Sequence, residues 1–404
     1  MVARALISAS KLLLLAVSLL VFTGICFASD EAPIGSSKSK EMTGLRLGAI
    51  EFHPYLTLRE TYSDNIYLTQ TDRKHDTITT IMPGLQLQLP YRRHTLTFGS
   101  NATINRYTKY DSENVEDWTA YGAGDLNFGS HINLKLSDTY INGHEPRSQT
   151  ANASIEKYRN NTASGSLTYI MADVSKLQLD YANTDWKFKN SDFRSRNENQ
   201  ASFYLYYRAL AKTSVFAEYE FKNVNFVSNA AGLDNNVHSG LLGLTWELSS
   251  RSKGTIKGGY LYKKFDEKVN GDFGTFAASA DVSHYFSDYD FFKLTGARGV
   301  NESSQLGTRY SVSTGINGEY THRFLERLSV NLKGSYSNES FSDIAPGDLQ
   351  LRKDNVMQTG ASIQYAFRRW LDCTLEYYWR NKDSNLNYYD STENNISLAL
   401  KAFF

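Results

Sequence analysis

The sequence predicts an all-β protein: a transmembrane antiparallel up-and-down β-barrel of about 18 strands, with 16 to 20 compatible with the pattern. Three observations point there. Segments of period-two alternation recur along nearly the whole chain, tight turns alternate with longer polar loops, and the chain closes on an apolar-faced strand with an aromatic last residue.

At the amino terminus Arg4 and Lys11 precede the apolar run Leu12 to Phe22, and Cys26-Phe27-Ala28 suits cleavage after Ala28. Residues 1–28 therefore read as a secretory signal peptide. Residues 29–44 are small and charged without periodicity, as in a flexible periplasmic tail too short to plug a barrel, and residues 45–404 form the barrel. Without the signal peptide Cys373 is the lone thiol, so no internal disulfide forms. A closed ladder of backbone hydrogen bonds must supply the stability instead.

Composition agrees. Tyr (27), Phe (22) and Gly (27) favour strands and turns, and only six prolines interrupt 404 residues. The 43 basic residues balance 43 acidic ones, which excludes the strong basic bias of a nucleic-acid binder.

Along the chain, Leu96, Phe98, Ala102 and Ile104 alternate with Thr95, Thr97, Asn101 and Thr103, while Leu177, Leu179 and Tyr181 alternate with Gln178 and Asp180. Val215, Ala217, Tyr219 and Phe221 face away from Ser214, Glu218, Glu220 and Lys222, and Leu242, Leu244, Trp246 and Leu248 away from Gly243, Thr245 and Glu247. Leu371, Cys373, Leu375, Tyr377 and Trp379 oppose Thr374, Glu376, Tyr378 and Arg380. Such alternation is the signature of strands with one apolar face.

Tight turns are expected at Pro90 to Arg93, Gly129 to His131, Ala172 to Ser175, Ala209 to Ala211, Ser249 to Ser252, Ser287 to Tyr289, Phe324 to Arg327 and Arg368 to Leu371. Between them lie polar loops at Asp64 to Asp76, Thr108 to Glu116, Gly143 to Lys157, Asn190 to Arg194, Val227 to Asp234, Glu267 to Gly271, Asn301 to Leu306 and Ser340 to Arg352. Short turns on one rim and long loops on the other mark a bacterial outer-membrane barrel, with both termini on the periplasmic side. A β-propeller shares the repeat length of roughly 40 residues but needs four short strands per repeat, where this chain supplies about two long ones. Tyr62, Tyr67, Tyr107, Tyr110, Tyr169, Trp186, Tyr285, Trp370, Tyr388 and Tyr389 fall near strand ends, where an aromatic girdle is expected.

In the last strand Ile396, Leu398, Leu400, Ala402 and Phe404 share one face. This stretch resembles the terminal signal recognised by the barrel-assembly machinery of Gram-negative bacteria.

The polar face of each strand supplies the expected lumen. Its charged members are Lys135, Asp180, Glu218, Glu220, Lys222 and Glu247, followed by Lys257, Glu319, Lys333, Glu376, Arg380 and Lys401. Both signs occur in comparable number, so strong ion selectivity is not expected. Hydroxyls, amides, carboxylates and tyrosines along such a wall suit a hydrated, roughly neutral or mildly acidic polymer, whose sugar rings aromatic faces can contact. No enzyme is expected: His238-Ser239 lacks an arranged third group, the histidines show no metal spacing, and Asp343 with Asp348 are too few carboxylates for Ca²⁺. No cofactor is implied either.

Residues Pro54 to Arg147 also carry a family resemblance. Tyr62-Ser63-Asp64-Asn65-Ile66-Tyr67, the passage from Asp76 to Pro83-Gly84-Leu85, Arg106-Tyr107, Leu136-Ser137-Asp138 and Pro146-Arg147 resemble the opening of the outer-membrane β-barrel porin family associated with exopolysaccharide export clusters. The resemblance implies a passive polar conduit for a secreted exopolysaccharide in the bacterial outer membrane. Outer-membrane lipid, the polysaccharide and periplasmic export proteins would be its partners. The alternative expectation is a general or sugar-uptake porin for small hydrophilic solutes.

Overall fold

The computed structural model describes residues 44–145, 147, 155–228, 232–249, 251–268 and 271–404. The signal peptide, all but the last residue of the tail, and Pro146 lie outside these described residues. Among the described residues no helix is long and apolar enough to cross a membrane.

A short strand β1 (Leu45–Leu47) precedes eighteen long ones. These begin with β2 (Ile50–Ser63), β3 (Asp76–Tyr91), β4 (His94–Tyr107), β5 (Val115–Phe128), β6 (Ile132–His144) and β7 (Lys157–Ala172). They continue with β8 (Ser175–Phe188), β9 (Arg196–Leu210), β10 (Thr213–Phe226), β11 (Asn235–Ser249), β12 (Ser252–Phe265) and β13 (Phe273–Tyr285). The last six are β14 (Asp290–Glu302), β15 (Tyr310–Leu325), β16 (Leu328–Phe341), β17 (Lys353–Arg368), β18 (Leu371–Ser384) and β19 (Ser391–Phe403).

Each long strand pairs antiparallel with the next, and β19 closes the ring on β2 in a register running from Phe403↔Tyr55 to Asn395↔Ser63. Closure leaves no sheet edge among the eighteen, so every strand is paired on both sides. Strands of 13 to 16 residues exceed the roughly 9–11 that a tilted membrane strand needs. Their ends therefore project beyond the apolar band.

Alternation assigns the two faces. On β8 Leu179 and Tyr181 are exposed while Asp180 is 5% exposed; on β10 Val215 and Tyr219 are exposed while Phe216 and Glu218 are buried. Apolar side chains face out and polar or aromatic ones face in. The apolar face of β19 follows suit, with Ile396 exposed outward and Asn395 and Ser397 buried inward.

Four expectations need correction. The turn expected at Ala209 to Ala211 lies at Ala211 and Lys212, because β9 runs through Leu210. The loop expected at Asn301 to Leu306 starts only after Glu302. A ninth loop was not anticipated: Asn385 to Asp390 joins β18 to β19 and contains a 3-10 turn at Asn387–Tyr389. Of the expected girdle aromatics, Tyr62 and Tyr169 are exposed on the outer face, but Trp186 turns inward, opposite Arg196 and stacked on Phe188 at 5.8 Å. Its even position on β8 puts it with Asp180, on the lumen side.

The wall is not a uniform cylinder. The β13–β14 ladder runs only from Tyr285↔Phe291 to Ala278↔Arg298, leaving Phe273 to Ala277 and Gly299 to Glu302 unpaired to each other. Toward the loop rim, side chains of β14 and β15 on the outward register meet inward side chains of β11 to β13. Glu302 pairs with the buried Lys263, Asn235 donates to Glu302 at 3.5 Å, and the Tyr310 ring lies 4.5 Å from Phe273 and 6.2 Å from Phe265. Val300 packs against a buried apolar cluster of Val237, Leu241, Leu261 and Ala277. The loop-side end of the β14–β15 hairpin is thus tucked inside the wall made by β11–β13. At the same place Gly259 is obligatory, since a Cβ there would lie 2.0 Å from the Gly240 carbonyl oxygen.

Candidate functional site

The candidate site is the lumen and the rim of loops above it. On the β8–β12 wall Glu218 accepts two hydrogen bonds from the Lys257 ammonium, at 2.9 and 2.7 Å. The two residues are on β10 and β12, so the pair spans the strand between them, about 10 Å of sheet at ~4.8 Å per strand. Gly243 on β11 makes room for the Phe216 ring, whose Cζ lies 2.2 Å from where a Cβ would stand. Phe216 stacks near Tyr206 at 5.0 Å and Tyr204 at 6.2 Å, and the Lys176 ammonium sits 3.9 Å above the Tyr206 ring. The result is an aromatic shelf with charges of both signs at its edges.

Toward the loop rim, Glu198 receives both Arg196 at 2.7 Å and Lys222 at 2.6 Å. Across the lumen, Asp354 takes a bidentate contact from Arg352 and a second cation, Lys382, at 2.9 Å. Buried charges of this kind persist only when matched, and these are. Three guanidinium atoms among the described residues depart from that pattern: Nε of Arg59, Nε of Arg194 and Nη1 of Arg380 are buried without a hydrogen-bond partner.

All twelve charged residues expected in the lumen fall on the inward register. Glu218 and Lys257 are brought together. Glu319 stands opposite Lys333, Lys135 opposite Asp125, and Glu247 opposite Lys253. Glu220 accepts from Gln200 at 2.8 Å, Asp180 accepts from Gln178 at 3.0 Å, and Glu376 accepts from Ser397 at 3.5 Å. Lys222 joins Glu198, Lys401 lies 5.2 Å from the Tyr55 ring, and Arg380 is buried. The twelve do not converge on one point; they line different heights of the wall, with Lys135, Glu247 and Lys401 near the turn rim.

Sequence reasoning placed tyrosines along the wall but named only charged residues there, and so missed Tyr204, Tyr206 and Phe216. Their even numbers, shared with Asp180 and Glu218, place them inward and could have revealed them. It also missed Lys263 and Glu302, whose partnership depends on the tucked hairpin.

The loops are tied side by side. Arg194 makes a bidentate pair with Glu145 at 2.8 and 2.6 Å, and Arg147 contacts Glu113 and lies over the Tyr67 ring at 4.8 Å. Arg309 pairs with Asp343 at 2.8 Å, Gln305 donates to Asp348 and Tyr389 at 3.0 Å each, and Arg352 stacks 3.6 Å from the Tyr389 ring. These contacts join neighbouring loops into a collar around the mouth. Asp343 and Asp348, weighed above for Ca²⁺, are occupied in this collar. His238 and Ser239 point to opposite faces: the imidazole meets the Tyr219 hydroxyl at 2.8 Å on the outside, and Ser239 is buried inside.

The family model described as putative beta-barrel porin 2 matches residues 39–404. Solved structures similar to the chain include the outer membrane protein OpdK from Pseudomonas aeruginosa, with 10% identity and a TM-score of 0.46, covering 87% of this chain and 99% of that one. Pseudomonas aeruginosa OpdL is 12% identical with a TM-score of 0.48, over 89% and 99% of the two chains. Acinetobacter baumannii OccAB4 is 12% identical with a TM-score of 0.47, over 91% and 100%. No curated protein matches the chain.

Proposed function

The chain belongs to the putative beta-barrel porin 2 family of the bacterial outer membrane, and from that premise we propose that it passes small hydrophilic solutes by passive diffusion. The observation that carries this reading is the tucked end of β14–β15, which occupies part of the cross-section on the loop side. A lumen narrowed by protein admits a small solute more readily than a hydrated polymer. Beside the tuck, matched charges and the aromatic shelf offer hydrogen bonds and ring faces without a net field of one sign, which suits polar solutes over a particular ion.

Export of an exopolysaccharide is the second reading. It is favoured by the resemblance of residues Pro54 to Arg147 and by the collar, whose contacts run between neighbouring loops and leave a mouth that a chain could thread. Single-channel recording of the refolded full chain in planar bilayers separates the two. The uptake reading expects steady, weakly selective conductance that mono- and disaccharides reduce only slightly. No conductance until a periplasmic export component is added would favour the second reading and overturn the first.

A further inference from the structure

The β13–β14 ladder keeps one register from Tyr285↔Phe291 to Ala278↔Arg298 and stops there, although β13 reaches back to Phe273 and β14 on to Glu302. Phe286 donates its N–H to the Asp290 carbonyl at 3.0 Å, which makes the even-numbered pairs of this ladder the hydrogen-bonded ones. Continued on the same register, Phe276 would meet Val300 and Gly274 would meet Glu302, each pair exchanging both N–H···O bonds. With the hairpin end tucked, these residues have no partner in the β13–β14 ladder.

The sequence beyond the stop suits two arrangements. Val300, Tyr310 and Val312 alternate with Asn301, Ser311 and Ser313, as lipid-facing and lumen-facing residues of an ordinary wall would. Yet Val300 packs on Val237, Leu241, Leu261 and Ala277, inward residues that are apolar where a watery lumen calls for polar groups. The hairpin end therefore has two seats, one in the wall beside β13 and one inside it against β11–β13. The buried Lys263–Glu302 pair holds the inner seat, and Arg309 with Asp343 ties its tip. Gly299 directly follows the last paired residue. A Cβ there would meet nothing within 4 Å, so packing does not demand a glycine, whereas backbone freedom at a bend does.

We propose that the loop-side end of β14–β15 is a lid, which swings about Gly299 from inside the barrel into register with β13 and so widens the channel without opening the ring. Release exchanges the Lys263–Glu302 pair and the apolar cover for ladder hydrogen bonds, the trade between two discrete packings that a switch requires. The lid rests on the narrowed lumen of the uptake reading and adds to it a second, wider conducting state.

A cross-link separates the seats. With the end tucked, Thr275 lies under the outward face of β14 and accepts from Arg298 at 3.5 Å, while Asn301 points to the other face and donates to Ser313 at 2.9 Å. In register with β13, Thr275 and Asn301 would form a non-hydrogen-bonded pair with Cα atoms about 4.5 Å apart, within disulfide reach. The test is T275C/N301C in the full chain, with the free Cys373 replaced as C373S, recorded in planar bilayers in potassium chloride under oxidant and then reductant. The disulfide should form, and E302Q, which strands the Lys263 ammonium in the inner seat, should speed it by on the order of tenfold. The oxidised protein should conduct roughly twofold more than the same protein after reduction, and E302Q without the cysteines should show openings to that higher level. Strand circular dichroism matching the wild type shows that the variants are folded. No cross-link in either background would refute the lid and leave the uptake reading standing, since the reduced protein conducts either way. A cross-link without a rise in conductance would overturn both, because the tucked end would then not be the constriction.

Discussion

Glu218 and Lys257 meet across β11, and the pair sets opposite charges side by side on the β8–β12 wall. Glu218→Gln should leave the Lys257 ammonium facing the lumen unmatched and raise anion over cation permeability by on the order of twofold, read as a reversal-potential shift across a salt gradient. Lys257→Met should shift it the other way. An unmoved potential in both would detach the pair from the conducting path. Both residues were legible as inward from alternation alone. Their partnership was not, because it depends on the register of three strands. The same applies to Phe216 and Tyr204, whose parity within β10 and β9 assigns them to the lumen but does not reveal that their rings meet.

At the scale of elements, β19 seals the ring, and its outward face was readable from the last residues of the chain. Leu398 lies midway along that face, so Leu398→Arg should cost about 2–4 kcal/mol of folding into lipid if it sits near the midplane, less nearer an interface. Urea titration of the refolded protein in vesicles measures this. The loop from β14 to β15 is tied to the loop from β16 to β17 through Arg309 and Asp343. Burial pulls the Asp343 carboxyl up, but the Arg309 guanidinium and the Ser342 hydroxyl outweigh it and hold it below the ordinary carboxylate value. A depressed folded value makes this tie stabilising above the unfolded carboxyl value of about 3.9, and the contribution is lost as pH falls through the lower folded one. Loop-gating noise in single-channel records should thus stay low at neutral pH and rise in strong acid. Asp343→Asn should be noisy already at pH 7; a quiet record from that variant would refute the tie. The turn-and-loop alternation was legible because turns and loops differ in polarity and length. The ninth loop escaped because Leu386, Tyr388 and Tyr389 give it the look of a strand end, whereas a 3-10 turn carries them.

For the whole molecule, strand number and closure followed from counting hairpins, since an even ring with both ends on one rim allows few solutions. The shape of the lumen did not follow. It is decided where the β13–β14 ladder stops, at Ala278↔Arg298, and by contacts among Lys263, Glu302, Phe273 and Tyr310 that lie far apart in sequence. Nothing in a local alternation pattern records that an outward face will be folded against an inward one. The narrowed lumen is the central claim, and swelling of liposomes carrying the full chain, in neutral saccharides of increasing length, tests it most directly. The expected result is rapid entry of monosaccharides with a steep fall over the next few sugar units. Swelling rates independent of length, up to oligosaccharides wider than a partly filled eighteen-stranded ring could pass, would contradict it.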